Sequence, residues 1–409
     1  MKKFCLSLIL CLGVFLLCGF ESQADNIVVV IDPGHGGENL GAQIDGIIEK
    51  EINLKVATAM YEHLSMYEGV EVHLTHYEDE GLSLKKRAQI AESLNADYLI
   101  SLHFNASEYH QLYGTECWVP YDDFYEETYE IAAYFIDELT GIGLYNRGIK
   151  TRLNDDGDNY YGIIRESEKL DIPCVLVEHC HLDNINDDGY YETDEKLEEF
   201  GVLDAQAIAK YLGLKSKRLD VDYSDYSLEI QIPRSENTRD KTGPSECAIT
   251  VKEYNHETGE ITLILTTRED ESRLLYYDYS IDGGITFTER FPLTKENIEF
   301  SFVMDEGTTP SLIARGYSLN DAYTESNLIT LETVKYPEIP EDVPTINITP
   351  AEQQMAKNRQ KIVTFLIIVL CMLIVCFMII LTLYFVKKAQ RAKRRKKKRL
   401  QQRKIQESE

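Results

Sequence analysis

The sequence predicts an α/β domain, with a mostly parallel twisted sheet covered by helices on both faces, followed by an immunoglobulin-like β-sandwich and a C-terminal transmembrane helix. Three observations support this fold class. Residues 26–214 alternate short apolar runs with amphipathic helical segments. Residues 222–335 contain short alternating segments that turn residues separate. Residues 362–386 form an apolar run without charge, long enough to span a bilayer.

The first domain contains strands of the type that is buried on both faces. Residues 27–31 and 98–102 are apolar runs, as expected for parallel strands between helices. From Glu49 to about residue 67, apolar side chains recur every three or four positions, which predicts a helix. Residues 174–177 predict another strand, and residues 197–212 predict the closing helix.

The second domain is predicted from strand-like alternation alone. Residues 228–232 and 285–291 are two of seven short segments in which apolar and polar residues alternate. Their number and spacing fit a sandwich of about 110 residues. We expect this domain to be a spacer, or to bind a protein partner or a cell-wall polymer.

The ends of the chain predict its location. Residues 1–24 combine two lysines, an apolar stretch and a small-residue end, which indicates a signal peptide. Residues 336–361 are rich in proline and acidic residues and predict a stalk before the apolar run at 362–386. The basic residues 387–409 predict a cytoplasmic tail. Together these segments predict a single-pass protein of the bacterial cell membrane, with its N-terminal domains extracellular.

The charge distribution excludes a nucleic-acid-binding body. The overall charge is −27, but residues 387–409 carry +10 and the first 24 residues carry +1, so residues 25–361 carry −38. A nucleic-acid-binding surface needs a basic footprint instead. Four cysteines fall in the predicted extracellular part, and the sequence does not fix their pairing; they are Cys117, Cys174, Cys180 and Cys247.

Four ionisable side chains lie near ends of the predicted strands and helices. His35 follows the first strand within a glycine-rich loop, and His103 follows strand 98–102. Glu49 opens the first long helix, and Glu178 follows strand 174–177. Because carboxyl ends of parallel strands build the site of an open α/β sheet, we expect these side chains to converge. Two histidines and a carboxylate are a frequent ligand set for catalytic Zn²⁺, and a second carboxylate can act as a base. Each histidine could instead be a hydrogen-bonded structural residue.

Asn105, two residues after His103, is a candidate for binding substrate. Its amide could hydrogen-bond a substrate group, or it could simply hold the loop. We predict the first role.

Four ordered motifs resemble the zinc-dependent N-acetylmuramoyl-L-alanine amidases of the Amidase_3 type. They are DPGHGG at 32–37, GIIEKEINL at 46–54, SLHFNA at 101–106 and VLVE at 175–178, with weaker similarity in SLKKR at 83–87 and NRG at 146–148. The resemblance covers residues 26–214. It implies that His35, Glu49 and His103 bind Zn²⁺, and that Glu178 is the catalytic glutamate.

The resemblance also implies a reaction. The family cleaves the amide between the lactyl group of N-acetylmuramic acid and L-alanine of the peptidoglycan stem peptide, so we expect a hydrolase of cell-wall remodelling. Two alternatives stay open. One is a non-catalytic peptidoglycan-binding or regulatory protein on the same scaffold. The other is a zinc peptidase that acts on a different stem-peptide bond.

The sequence departs from the family pattern directly after Glu178. The next residues are His179, Cys180 and His181, where the family usually has a Gly-Phe-Leu run. Since side chains alternate along a strand, we expect Cys180 to share the face of Glu178.

Overall fold

The computed structural model describes residues 26–337. The strands of the first domain, in chain order, are β1 (Ile27–Pro33), β2 (Gln43–Ile44), β3 (Ile47–Ile48), β4 (Val70–Leu74), β5 (Tyr98–Asn105), β6 (Thr115–Trp118), β7 (Asn146–Lys150), β8 (Cys174–His181), β9 (Lys215–Ser216) and β10 (Val221–Asp222). Its helices are α1 (Glu49–Leu64), α2 (Leu84–Ser93), α3 (Tyr125–Gly141), α4 (Gly162–Glu168) and α5 (Asp194–Tyr211).

Six strands form the central sheet, in the order β4-β1-β5-β8-β6-β7. The first four are parallel to one another. The prediction of a mostly parallel sheet is corrected at its far edge, because β6 runs antiparallel to β8 and makes the sheet mixed. The physical reason is the connection: a loop without a helix joins β5 to β6, and a parallel return would need a longer crossover. Helix α3 then provides such a crossover from β6 to β7, which are parallel.

Helices cover both faces of this sheet, as predicted. One face packs against α1, α3 and α5 through a large apolar cluster that includes Val56, Phe135 and Phe200. The opposite face packs against α2 and α4, where Ala91 and Ile163 meet β-strand residues. Each helix has an apolar face that packs on the sheet, and the central strands are apolar on both faces. These two features explain why the sheet lies between two layers of helices.

The second domain is a β-sandwich. Its elements are α6 (Ser235–Thr238), β11 (Glu246–Asn255), β12 (Glu260–Arg268), β13 (Leu274–Ser280), β14 (Phe291–Pro292), β15 (Asn297–Val303), β16 (Ser311–Ser318), β17 (Tyr323–Glu325) and β18 (Ile329–Thr330). One sheet has the order β11-β12-β15, and the other has the order β14-β13-β16-β17 with β18 beside β16. Both sheets contribute to one core, for example through Leu263 of β12 and Leu312 of β16.

Two strand predictions for this domain are wrong. Residues 228–232 form no strand; Leu228, Ile230 and Ile232 pack against the core of the first domain instead. Residues 285–290 are irregular, and only Phe291 and Pro292 pair, as β14. An alternation of apolar and polar residues indicates that one side of a segment is buried. It does not require that the segment pairs with another strand.

The two domains pack into one compact unit that extends to Tyr336. An aromatic cluster joins them, in which Tyr113 of the first domain contacts Tyr276 of β13 with 5.1 Å between the ring centroids. The four cysteines of the described residues are free thiols.

The prediction of a transmembrane helix and of a single-pass membrane location is also corrected. Among residues 26–337, no helix combines the length and the apolar character needed to cross a bilayer. The longest helix there, α5, has 18 residues, and its first turns carry several charged side chains. The predicted signal peptide, the predicted span at 362–386, the basic tail and nearly all of the stalk lie outside the described residues.

Candidate active site

The loop after β1 presents His35 to the site. His35 adopts a left-handed backbone conformation, with φ of 67°, between flexible glycines. Arg87 of α2 holds this loop: its guanidinium donates to the carbonyl of Pro33 at 2.6 Å and to that of His35. Buried Asp32 in turn accepts from Arg87 at 2.7 Å. Asp32 therefore helps to fix the loop, while the imidazole Nδ1 of His35 contacts Asn39 at 3.1 Å.

Glu49 lies between the two histidines. One oxygen, Oε2, is 3.0 Å from His35 Nε2, and the other, Oε1, is 3.1 Å from His103 Nδ1. The backbone amides of Ala42 and Phe104 donate to the same carboxylate. Burial alone would raise the pKa of Glu49, but the hydrogen bonds from His103 and His35 hold it well below its usual range. Glu49 is therefore a buried carboxylate that stays ionised.

The cluster of His35, Glu49 and His103 has the chemistry of a metal site. Its ligand atoms all lie within 4.8 Å of one another. Burial opposes protonation of His35, but the hydrogen bond and the charge of Glu49 outweigh burial and raise its pKa. A divalent cation could bind between these groups in place of the hydrogen bonds that now join them. Two imidazole nitrogens with one carboxylate suit Zn²⁺ better than the harder ions Mg²⁺ and Ca²⁺.

Glu178 on β8 faces the same cavity. It lies opposite His103 in the pairing of β5 with β8. The residue is only 8% exposed, and its Oε2 has no hydrogen-bond partner among the described residues. Burial, together with the charges of Glu49 and Glu116, raises the pKa of Glu178 well above its usual range. An unsatisfied buried carboxyl is costly for stability, which points to a functional role.

The cavity has a volume of about 620 Å³ and brings together all five predicted site residues. Its lining includes His35, Glu49, His103, Asn105 and Glu178. It also includes Leu84 and Tyr161, which sequence reasoning did not single out. The convergence at the carboxyl edge of the parallel strands agrees with the prediction.

Asn105 is held at the edge of this cavity. Its Oδ1 accepts from the amide of Ala106 at 2.8 Å, and its Nδ2 donates to Glu116 at 2.9 Å. These contacts use one of the two N–H groups of the amide and leave the second for another acceptor. Sequence reasoning missed Glu116, because the short segment Thr115–Trp118 carries no pattern that marks it as a buried strand.

The residues after Glu178 lie away from the cavity. His179 is buried, with Nδ1 2.9 Å from the carbonyl oxygen of His103 and Nε2 2.8 Å from Asp204 on α5. The prediction that Cys180 shares the face of Glu178 is wrong, because Cys180 packs in the apolar core with Val177 and Phe200. A register shift between β5 and β8 at this point breaks the regular alternation.

Comparisons with known proteins assign the chain to a family. The sequence profile described as N-acetylmuramoyl-L-alanine amidase matches residues 29–210. The N-acetylmuramoyl-L-alanine amidase CwlM of Bacillus licheniformis is 31% identical over 169 residues, which cover 39% of this chain and 59% of that protein. The uncharacterized protein YqiI of Bacillus subtilis is 31% identical over 185 residues, which cover 44% of this chain and 84% of that protein.

Among solved structures, the catalytic domain of the amidase CwlV from Bacillus (Paenibacillus) polymyxa is 31% identical. The match covers 46% of this chain and 99% of that domain, with a TM-score of 0.40. The chain thus spans 59% of the length of the CwlM relative and nearly all of this catalytic domain. Through residues 29–210, the chain belongs to the N-acetylmuramoyl-L-alanine amidase family, which is a family of hydrolases.

Proposed function

We propose that this chain hydrolyses the amide bond between the lactyl group of N-acetylmuramic acid and L-alanine in peptidoglycan. The observation that carries the proposal is the buried carboxyl of Glu178, whose Oε2 has no hydrogen-bond partner within residues 26–337. This carboxyl lines one cavity with the His35, Glu49 and His103 cluster. Family membership supports this choice of bond over other amides of the polymer.

His35, Glu49 and His103 would hold Zn²⁺ in this proposal. The metal would supply Lewis-acid chemistry, polarising the scissile carbonyl and making a water molecule more acidic. The donor set fits the ion, because Glu49 stays ionised and each imidazole already directs a nitrogen at it. The backbone amides of Ala42 and Phe104 also orient the Glu49 carboxylate.

Glu178 is proposed as the group that moves the proton. Its carboxylate accepts a proton from the attacking water, whose oxygen bonds to the lactyl carbonyl carbon. As the carbon–nitrogen bond breaks, the protonated acid donates this proton to the amine of L-alanine. Burial suits the second step, because a raised pKa makes the protonated form accessible near neutral pH.

Asn105 and Tyr161 are proposed to contact the substrate. The free N–H of Asn105 can donate to a carbonyl of the stem peptide, and Tyr161 offers an aromatic wall that Trp118 supports with 4.9 Å between the ring centroids. These contacts would position the amide against Glu178, since a 1 Å misplacement is costly in such reactions.

The test uses the zinc-loaded full chain on intact peptidoglycan, with mass spectrometry of the soluble products. We expect stem peptides with a free amino group on L-alanine, their loss with a chelator and their return with Zn²⁺. The variant His35→Ala should abolish release, whereas His73→Ala, a change on β4 away from the cluster, should not. Binding without release would instead indicate a wall-binding protein, and cleavage elsewhere in the stem peptide would indicate a peptidase.

A further inference from the structure

A buried cluster of charges lies behind the candidate active site. Glu116 of β6 is 2% exposed, and its Oε2 accepts from Arg147 Nε at 2.8 Å and from Lys150 Nζ at 2.6 Å. Both cations project from β7, and their side chains are almost fully buried. Burial alone would raise the pKa of Glu116, but these two charges hold it well below its usual range. Glu116 is therefore a buried carboxylate that stays ionised.

The β-sandwich completes this cluster through Asp321, in the turn between β16 and β17. Asp321 Oδ2 accepts from Arg147 at 2.8 Å and lies 4.0 Å from Lys150 Nζ, while Oδ1 accepts from Arg290 at 2.9 Å. Burial acts to raise the pKa of Asp321, but the three cations lower it. Two carboxylates thus face three cations, and loss of Asp321 would leave Glu116 alone among them.

Tyr276 of β13 provides a second contact from the sandwich. Arg147 donates to its hydroxyl at 3.1 Å, and that hydroxyl donates to the carbonyl oxygen of Tyr113 at 2.5 Å. The three nitrogens of the Arg147 guanidinium therefore bind three different groups: Nε binds Glu116, and the other two bind Tyr276 and Asp321. The sandwich fixes two of the three, so it sets the orientation of this guanidinium.

The same cluster reaches the cavity through the second oxygen of Glu116. This Oε1 accepts from Asn105 Nδ2 at 2.9 Å and from Trp118 Nε1 at 3.3 Å. Asn105 lines the cavity. If Asp321 were absent, Arg147 and Lys150 would keep Glu116 as their only carboxylate partner within the described residues. Their attraction would favour a rotation of Glu116 that turns both of its oxygens towards them. That movement would release Asn105 from its only side-chain partner within the described residues.

We propose that Asp321 and Tyr276 of the β-sandwich are positioning residues that hold Asn105 in place through Arg147 and Glu116. In this proposal the β-sandwich contributes to the geometry of the active site and is more than a spacer. The positioning of Asn105 stands on these contacts alone. Its consequence for catalysis rests on the proposed function, in which Asn105 binds the stem peptide.

The first test reads the position of Asn105 without using activity. The full chain is labelled with ¹⁵N-asparagine, and the side-chain amide signal of Asn105 is identified by its loss in Asn105→Ser. Asp321→Asn and Tyr276→Phe should each shift this signal. Asp282→Asn, which removes a turn carboxylate elsewhere in the sandwich, should leave it in place. An unmoved Asn105 signal in both folded variants would overturn the proposal, and Tyr276→Phe keeps the ring if Asp321→Asn does not fold.

The second test reads the catalytic consequence. In Asp321→Asn we expect kcat/KM on peptidoglycan fragments to fall about tenfold, mostly through KM, with unchanged zinc content. Asp321→Glu should restore much of this loss, and Asp282→Asn should behave as wild type. A shifted Asn105 signal with unchanged kinetics would overturn the catalytic consequence. An inactive wild-type chain would instead refute the proposed function, while the NMR test would still decide the positioning.

Discussion

Replacing Glu178 with glutamine should separate activity from stability. The substitution keeps the shape of the side chain and removes its ability to accept a proton. A general base contributes a factor of about 10² to 10⁴ to the rate, which corresponds to about 3–5 kcal/mol of the activation barrier. Since Glu178 is buried and its Oε2 has no partner among residues 26–337, its loss should not weaken the fold. We expect the free energy of unfolding to stay unchanged or to rise by about 1 kcal/mol.

Glu138 offers a matched control for this prediction. Glu138 on α3 is 9% exposed, close to the 8% of Glu178, but it forms an ion pair with Lys210 of α5. Glu138→Gln weakens this pair, so it should cost about 1 kcal/mol of stability and leave kcat/KM unchanged. Glu178→Gln should therefore lose activity and keep its stability, whereas Glu138→Gln should keep its activity and lose stability.

The assay combines kcat/KM on muropeptides, with zinc present, and urea unfolding of each variant. Retention of more than about a tenth of the wild-type activity in Glu178→Gln would refute the assignment of Glu178 as the base. A loss of stability as large as in Glu138→Gln would show that Glu178 is a structural residue, and would refute the argument from its missing partner.

Three further predictions follow from the site. Gly34→Ala should reduce zinc content and activity, because a Cβ there would lie 2.3 Å from Cε1 of the His103 ring, whereas Gly141→Ala meets nothing within 4 Å and should change neither. Glu49→Gln should lower the zinc-to-protein ratio measured by elemental analysis, since it removes the central anionic ligand. In chelator-treated protein, the raised pKa of Glu178 means that the folded state binds a proton more tightly than the unfolded state. Stability should therefore fall as pH rises through that raised pKa, and urea unfolding of Glu178→Gln should lack this fall.

The sequence was sufficient to bring the candidate site residues to one edge of the α/β domain. His35 follows β1, and His103 and Glu178 lie near the carboxyl ends of β5 and β8. The carboxyl ends of parallel strands meet at one edge of the sheet. The helix that Glu49 opens also begins where predicted. Local sequence patterns were enough here, because the position of each of these residues follows from the strand or helix that carries it.

The mixed sheet and the false strand at 228–232 depended on information that local patterns lack. Strand β6 has only four residues, all buried, so alternation could not reveal it or its direction. Residues 228–232 do alternate, but Leu228 donates its amide to the hydroxyl of Tyr134 on α3 rather than to a strand. Which partner covers a half-buried segment is decided by the tertiary fold.

The cluster of buried charges could not be predicted either, because its partners come together only in the tertiary fold. Arg147 and Asp321 are 174 positions apart, and nothing in either local sequence identifies the other as its partner. Glu116, Arg147 and Lys150 lie in the segments TECW and NRGIK, which are too polar to be recognised as buried strands. Such residues are seldom buried unless they are paired, so they predict partners without naming them.

The source of the new oxygen atom tests the central claim most directly. A defined muropeptide is hydrolysed by the zinc-loaded full chain in H₂¹⁸O, and both products are weighed by mass spectrometry. Hydrolysis of the proposed bond places one ¹⁸O in the lactyl carboxylate of N-acetylmuramic acid and leaves the stem peptide unlabelled, with a free amine on L-alanine. Label in a peptide carboxylate, with the bond between N-acetylmuramic acid and L-alanine intact, would contradict the account.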